Sequence, residues 1–221
     1  MADTNNANKK IEELREEYTQ GLDALTNWSE NPYDVFKSLF DLALENNVPE
    51  PNAMTLATAT QKGIPSARIV LLKGYDEKGF RFYTNYESRK GQEIAENPNV
   101  ALVFNWLGME TQIRIQGTVD KLSDEIAQAY FDTRPIKSRI GAWASNQSKT
   151  IKDYDSLKSD FDNFAARFEG QETFPKPDYW GGYVVQPKRI EFWFGRRSRL
   201  HYRKNYLLGA DGAWRNEILS P

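Results

Sequence analysis

The sequence predicts a mainly β protein, an antiparallel barrel with helices at its periphery. From residue 53 onward the residue pattern has the period of two that is typical of strands. The candidate strands are 53–60, 66–74, 79–85, 99–106 and 111–121. Turn residues separate them, for example Lys62-Gly63 and Leu107-Gly108. Many short strands with a few inserted helices indicate a barrel rather than a helical or doubly wound fold.

The remaining elements complete this order. Apolar residues at helical spacing, with Pro32 near the start, predict a helix over 32–46. Further helices are predicted at 88–96, 123–132 and 152–168, and further strands at 181–187, 188–195, 199–203 and 213–219. We expect residues 1–30, which are polar and charged, to form a mobile N-terminal arm, and residues 31–221 to form a single domain.

Composition excludes several kinds of chemistry. The chain has no cysteine and one histidine, His201, so thiolate chemistry and a metal site with several histidines are excluded. The net charge of -2 and the lack of a long apolar segment argue against nucleic-acid and membrane partners and for a cytoplasmic protein. Neither a dinucleotide fingerprint nor a P-loop motif is present, so redox work would need a different bound organic cofactor.

A basic segment near the C-terminus is the first candidate site. If 199–203 is a strand, then Arg199, His201 and Arg203 share one face. Such groups repel one another unless an anion or carboxylates face them. The sequence is equally compatible with a solvated edge strand whose cations prevent aggregation.

A second candidate is the start of the helix at 88–96. Ser88 is a plausible N-cap, and Arg89 and Lys90 occupy the first turn, where cations oppose the helix dipole. A phosphate bound at this helix start would explain them. The alternative is an exposed turn, where the unfavourable interaction of the two cations with the helix dipole is small enough to be tolerated.

Four more residues, three polar and one aromatic, lie in or beside apolar strands. Arg68 and Lys73 bracket an apolar strand and lie five positions apart, so the strand has a bulge, the two cations serve different pockets, or both are surface cations. Gln112 shares a face with Arg114 and Gln116, where it could hydrogen-bond a bound ligand or simply lie on a polar outer face. Trp193 alternates with two phenylalanines, which also fits plain core packing.

Taken together, these segments resemble one family, the pyridoxine/pyridoxamine 5'-phosphate oxidases. The resemblance runs from about residue 12 to the end of the chain, and the ordered set of motifs is highly specific. The motifs are R-I-V-L-L-K (68–73), F-Y-T-N (82–85), S-R-K (88–90), S-R-I-G-A-W-A-S-N-Q-S (138–148), W-G-G-Y (180–183), I-E-F-W (190–193) and R-L-H-Y-R (199–203).

The resemblance implies an FMN-binding split β-barrel and a homodimer with two active sites at the interface. It implies FMN contacts from Arg68, Ile69, Val70, Leu71, Leu72, Lys73, Tyr83, Thr84, Arg89, Lys90, Gln112, Gln147, Ser148, Trp193 and Arg203. It implies substrate contacts from Lys73, Tyr130, Arg134, Ser138, Arg199, Leu200 and His201, and from Arg15, Glu16, Glu17 and Tyr18 of the arm. Glu16 replaces a basic residue of the family's arm motif.

The implied reaction is the FMN-dependent oxidation of pyridoxine 5'-phosphate or pyridoxamine 5'-phosphate by O2. The products are pyridoxal 5'-phosphate and H2O2, with NH3 from the amine, as a step of vitamin B6 biosynthesis or salvage. Arg199 and His201 would lie at the reacting part of the substrate. Two alternatives remain open on the same fold: an FMN reductase or electron carrier, and a non-catalytic carrier of pyridoxal phosphate. The second would leave Arg89 and Lys90 unexplained.

Overall fold

A computed structural model describes Glu17, Tyr18 and residues 28–221, which contain one curled, nine-stranded antiparallel sheet. The strands are β1 (Ala53–Ala59), β2 (Pro65–Leu71), β3 (Gly74–Asp76), β4 (Gly79–Asn85), β5 (Asn99–Trp106), β6 (Thr111–Lys121), β7 (Trp180–Phe194), β8 (Tyr202–Leu208) and β9 (Trp214–Leu219). The helices are α1 (Pro32–Glu45), α2 (Arg89–Glu96), α3 (Asp124–Thr133), α4 (Ile136–Ala144) and α5 (Tyr154–Arg167).

The sheet is organised around β7. The strand order is β2-β1-β5-β6-β7-β4-β3, and β8 also pairs with β7 and carries β9. The first part of β7 pairs with β4, with Thr84 opposite Gly181, and its last part pairs with β8. Strand β6 pairs with β7 along nearly its whole length. Strand β7 therefore runs from one end of the barrel to the other.

Burial explains why the strands form where the alternation predicts them. Along β6, Ile113 and Ile115 are fully buried, whereas the intervening polar residues face outward. Helix α1 begins after Asn31, whose side chain accepts a hydrogen bond from the Tyr33 backbone N–H. Its apolar face, with Phe36 and Leu39 fully buried, closes the barrel core. A smaller aromatic cluster, which includes Phe131 and Trp180, packs between the helices and the sheet.

Three predicted elements differ from the structure. The predicted strands 181–187 and 188–195 are one strand, β7. Its register against β6 shifts where Gln116 pairs with Arg189 and Gly117 with Pro187, so Lys188 of β7 is the extra residue of a bulge. The predicted strand 66–74 ends at Leu71, so Arg68 and Lys73 do not belong to one strand. Helix α4 has no counterpart among the predicted helices; Pro135 immediately precedes its first turn.

The predicted strand at 199–203 is also wrong. Residues Arg197–Arg199 form a 3-10 turn in which Ser198 and Arg199 have φ of 55° and 59°. Strand β8 begins only at Tyr202. The inference that Arg199, His201 and Arg203 alternate on one strand face therefore fails, because the backbone turns between the first and the third.

Two kinds of feature are absent from the described residues. None of the helices in this part of the chain is long and apolar enough to cross a membrane. The same residues contain no group of three metal-ligating histidine, cysteine or carboxylate side chains.

Gly117→Ala tests the bulge between β6 and β7. A Cβ at Gly117 would lie 2.0 Å from the backbone oxygen of Gln186, so the two strands must separate. We expect the free energy of unfolding to fall by about 2 kcal/mol or more, measured by urea denaturation. Gly108→Ala is the matched control, since no atom lies within 4 Å of its Cβ position. Equal stabilities of the two variants would contradict this account of the bulge.

Candidate active site

Cationic side chains converge where β4 ends and α2 begins. We call Arg68, Thr84, Arg89, Lys90 and Gln147 the cationic half-site. Lys90 Nζ donates to Gln147 Oε1 at 2.8 Å and to Thr84 Oγ1 at 3.3 Å. Burial and the nearby Arg68 lower the pKa of Lys90. Ser88 caps α2 as predicted, since its side chain accepts from the Gly91 backbone N–H. The first turn of α2 therefore presents N–H groups and cations together, which suits a phosphate.

A buried carboxylate organises this half-site. Glu93 is 4% exposed and lies one helical turn after Arg89, whose Nε donates to it at 2.9 Å. Arg68 Nη2 donates to the same carboxylate at 3.2 Å. Burial alone would raise the pKa of Glu93, but the hydrogen bonds from Ser66, Thr58, Arg89 and Arg68 lower it to about 2. Three cations and one carboxylate leave two positive charges, which matches a phosphate dianion.

An aromatic stack lies beside the cationic half-site. The rings of Tyr83 and Tyr130 are 3.8 Å apart at 18°, and Trp180 continues the stack. The Arg134 guanidinium lies 4.8 Å from the Trp180 ring centre, and burial lowers its pKa. Its Nη1 is buried without a hydrogen-bond partner among the described residues. A guanidinium in this state is suited to a ligand anion.

A second half-site lies at the other end of the barrel. Its members, Tyr18, Gln112, Trp193, His201 and Arg203, form what we call the ring half-site. Four of them, without His201, line a cavity of about 460 Å³. The His201 and Trp193 rings are 4.6 Å apart, and Tyr18 packs edge-on against both. A cavity that combines aromatic rings with several polar side chains is typical of a site for a planar ligand.

The state of His201 follows from its contacts. Its Nδ1 accepts a hydrogen bond from the Arg196 backbone N–H at 3.2 Å. Burial, with Arg199 nearby, lowers its pKa. The neutral ring is therefore favoured, and its proton belongs on Nε2.

The two half-sites are far apart within one chain. Thr84 pairs with Gly181 near the start of β7, whereas Gln112 pairs with Trp193 near its end. Twelve residues of strand separate Gly181 from Trp193, which corresponds to about 40 Å along β7. A mononucleotide is shorter than this length of strand, so a ligand held at Gly181 does not reach Trp193 of the same chain along β7.

The other predicted site residues are distributed as follows. Ile69 and Leu71 are exposed on β2, Val70 is half-buried and Leu72 is buried. Lys73 and Ser138 are exposed, and Ser148 follows Gln147 with φ of 70°. Arg199 and Leu200 are exposed beside His201. Glu17 is exposed, and Arg15 and Glu16 lie outside the described residues, as does most of the predicted arm.

Sequence reasoning missed the buried carboxylates Glu93 and Glu191. A signal for each was present: Glu93 lies four residues after Arg89, and Glu191 alternates with Phe192 on the strand that carries Trp193. Trp193 itself is only half-buried and lines the cavity, so core packing alone does not describe it.

Solved structures define the class of fold. The chain superimposes on a pyridoxamine 5'-phosphate oxidase-related, FMN-binding protein from Nostoc punctiforme with a TM-score of 0.67 at 17% identity, covering 88% of this chain and all of that one. It also matches PhzG from Burkholderia lata 383, solved with tetrahydrophenazine-1-carboxylic acid, with a TM-score of 0.84 and 28% identity over 90% of this chain and 96% of that one. The protein therefore has the FMN-binding split-barrel fold, as predicted.

Sequence comparison defines the family. The model for pyridoxamine 5'-phosphate oxidase matches residues 40–168, and that for the pyridoxine 5'-phosphate oxidase C-terminal dimerisation region matches 180–221. The pyridoxine/pyridoxamine 5'-phosphate oxidases of Nostoc punctiforme and Paraburkholderia phymatum are 52% and 49% identical, each over 96% of this chain and 99% of the relative. The chain belongs to the pyridoxine/pyridoxamine 5'-phosphate oxidase family, a family of enzymes, which confirms the resemblance.

Glu93→Gln tests the organisation of the cationic half-site. The pKa of Glu93 is about 2 in the folded protein, whereas its ordinary value is 4.5. As the pH falls, Glu93 is therefore protonated in the unfolded chain before it is protonated in the folded protein. Its stabilising contribution is therefore complete above pH 4.5 and is lost towards pH 2. We expect Glu93→Gln to lower the free energy of unfolding by about 2 to 3 kcal/mol at pH 7 and to flatten its decline in acid.

Urea unfolding at a series of pH values measures both effects. Glu87→Gln is the control, because the pair between Glu87 and Lys149 is exposed and should change stability by less than about 1 kcal/mol. The same decline between pH 4.5 and 2 in wild type and Glu93→Gln would contradict the assignment.

Proposed function

We propose that this protein binds FMN and oxidises pyridoxine 5'-phosphate or pyridoxamine 5'-phosphate with O2. The products are pyridoxal 5'-phosphate and H2O2; the amine also consumes one water, which hydrolyses the imine and releases NH3. The observation that carries the proposal is the pair of half-sites at opposite ends of β7, one built for a phosphate and one for a planar ring. Family membership supports the choice of substrate, since the relatives are named as oxidases of these two compounds.

The residues present fit FMN. Arg68, Arg89 and Lys90 supply charge for one terminal phosphate, and Thr84 and Gln147 supply neutral polar groups beside it. The ring half-site offers Gln112 and Arg203 as donors to the polar edge of an isoalloxazine.

The separation of the half-sites supports a homodimer with shared sites. The cationic half-site of one copy would complete the ring half-site of the other, because one chain holds them too far apart. Exposed apolar side chains flank both: Ile69 is 64% exposed beside Arg68, and Leu107 is 76% exposed at the ring cavity. A second copy would cover these side chains. The C-terminal dimerisation region of the family includes β7, β8 and β9.

The aromatic stack is suited to the substrate phosphate. Arg134 has a buried nitrogen that lacks a partner among the described residues, and Tyr130 places a hydroxyl beside it. The family resemblance adds Lys73 and Ser138, which would complete a clamp of two cations and two hydroxyls. Such a clamp would fix the substrate for reaction with the flavin.

FMN, when bound, supplies the redox chemistry by accepting a hydride equivalent and passing the electrons to O2. The chain's own residues bind and orient the reactants. His201 keeps its Nδ1 on the Arg196 backbone N–H, so its Nε2–H is free to donate to the substituent that reacts. Arg199 lies beside His201 and favours the neutral ring. Tyr18 packs against the rings of Trp193 and His201, where it helps to exclude water.

The alternatives on the same fold are less well supported. A pyridoxal phosphate carrier needs no second phosphate site and leaves the cationic half-site without a ligand. An FMN reductase or electron carrier leaves the buried nitrogen of Arg134 without an anion.

The absorption spectrum of the purified protein tests this function. We expect a bound flavin that heat releases and chromatography identifies as FMN. Addition of pyridoxine 5'-phosphate without O2 should bleach the flavin band, and readmission of O2 should restore it with formation of H2O2. Arg199→Ala should remain yellow and be bleached on the order of tenfold more slowly, since it loses a charged hydrogen bond to substrate. Bound FAD, or an FMN band that neither substrate bleaches, would contradict the proposal.

A further inference from the structure

Glu191 occupies an unusual position in the ring half-site. It lies on β7 two residues before Trp193, so both side chains share a face of the strand, whereas Ile190 and Phe192, on the opposite face, are fully buried in the core. Although this face carries the cavity, Glu191 is only 4% exposed. A carboxylate buried to this extent requires cationic or hydrogen-bonding partners.

Arginines from three strands supply these partners. Arg203 of β8 donates from Nε to Glu191 at 2.7 Å, and Arg114 of β6 donates to the same oxygen. Arg189 of β7 lies at 3.7 Å from the other oxygen. Burial raises the pKa of Glu191, but the hydrogen bonds from Arg203 and Arg114 more than reverse this, so the carboxylate stays charged. Three guanidinium groups around one carboxylate leave two positive charges.

The guanidinium of Arg203 is fixed from two sides. Its Nε is bound by Glu191, and its Nη1 donates to the Ser220 backbone oxygen at 2.8 Å. Two such contacts define the plane of the group as well as its place. Arg203 also lines the cavity that Gln112 and Trp193 share, and Arg114 joins it there. The Nε of Arg114 is buried without a hydrogen-bond partner in the part of the chain that the structure describes.

We propose that Glu191 is a positioning residue for the flavin ring: it holds Arg203 in the orientation that meets the ring and draws Arg114 into the same site. This inference rests on the proposed function, since it takes the cavity to be the place of the isoalloxazine. Glu191 touches neither flavin nor substrate and acts through the two arginines.

A double-mutant cycle in flavin affinity tests the link. The dissociation constants of FMN and riboflavin are measured by fluorescence quenching for wild type, Glu191→Gln, Arg203→Lys and the double variant. Glu191→Gln should weaken FMN about tenfold, because Arg203 loses a charge-assisted anchor. Riboflavin should lose the same factor, because it lacks only the phosphate at the other end. In the Arg203→Lys background, Glu191→Gln should cost less than about threefold, because the residue through which it acts is already altered.

The control is Asp211→Asn, which removes another arginine–carboxylate pair, 2.6 Å long and exposed, from the turn between β8 and β9. It should leave both affinities unchanged. If Glu191→Gln gives too little folded protein, Arg203→Lys alone tests the link between Glu191 and flavin affinity. A lysine cannot donate to Glu191 and Ser220 at once in one plane, as the guanidinium does. Wild-type affinity in that variant would contradict the assignment.

The remaining outcomes distinguish the positioning role of Glu191 from the proposed function. Equal losses from Glu191→Gln in both backgrounds would show a general structural effect and overturn the positioning role. Tighter flavin binding by Glu191→Gln would show that the charge of Glu191 merely offsets that of the arginines. This result would also overturn the positioning role. A wild-type protein that binds neither FMN nor riboflavin would overturn the proposed function itself.

Discussion

The length of β7 is the constraint on which the rest of the structure depends. This single strand pairs with β4 beside the cationic half-site and with β6 and β8 at the ring half-site. Its hydrogen bonds hold the two groups of residues at a fixed separation that no side-chain motion can remove. Under the proposed function, a ligand with a phosphate at one end and a flat ring at the other would take one half-site from each of two chains. Dimerisation would then be part of the site as well as a source of stability.

Both half-sites use the same physical device. In each, a buried carboxylate, Glu93 or Glu191, binds two arginines and leaves an excess of two positive charges when the third nearby cation is included. Arginines without a fixed partner would lose side-chain entropy when an anion binds. The carboxylates impose this order during folding, so the cations are already oriented when a ligand arrives. As a consequence, the stability of the cationic half-site depends on pH, as the low pKa of Glu93 shows.

Most of the fold could be predicted from the sequence, because strands with one face in the core alternate visibly. Strands β4, β5 and β6 begin and end where the pattern places them. The turn at Arg197–Arg199 could not, since nothing in R-S-R indicates two residues with positive φ. The candidate site could be predicted as a set of cations and aromatic residues through the family resemblance. The roles of Glu93 and Glu191 could not, because their arginine partners come largely from other elements that only the folded sheet brings near.

Defined hybrid dimers test whether each site is built from two chains. Lys90→Met removes a cation from the cationic half-site, and Arg203→Met removes one from the ring half-site. Each variant alone should form dimers with two damaged sites. Co-expressed with two different affinity tags and purified as the mixed dimer, they should form one site with both changes and one unaltered site. The account predicts that this hybrid regains about half of the wild-type FMN content and oxidase activity. A pure hybrid that binds no more FMN than the parent variants would show that each site lies within one chain.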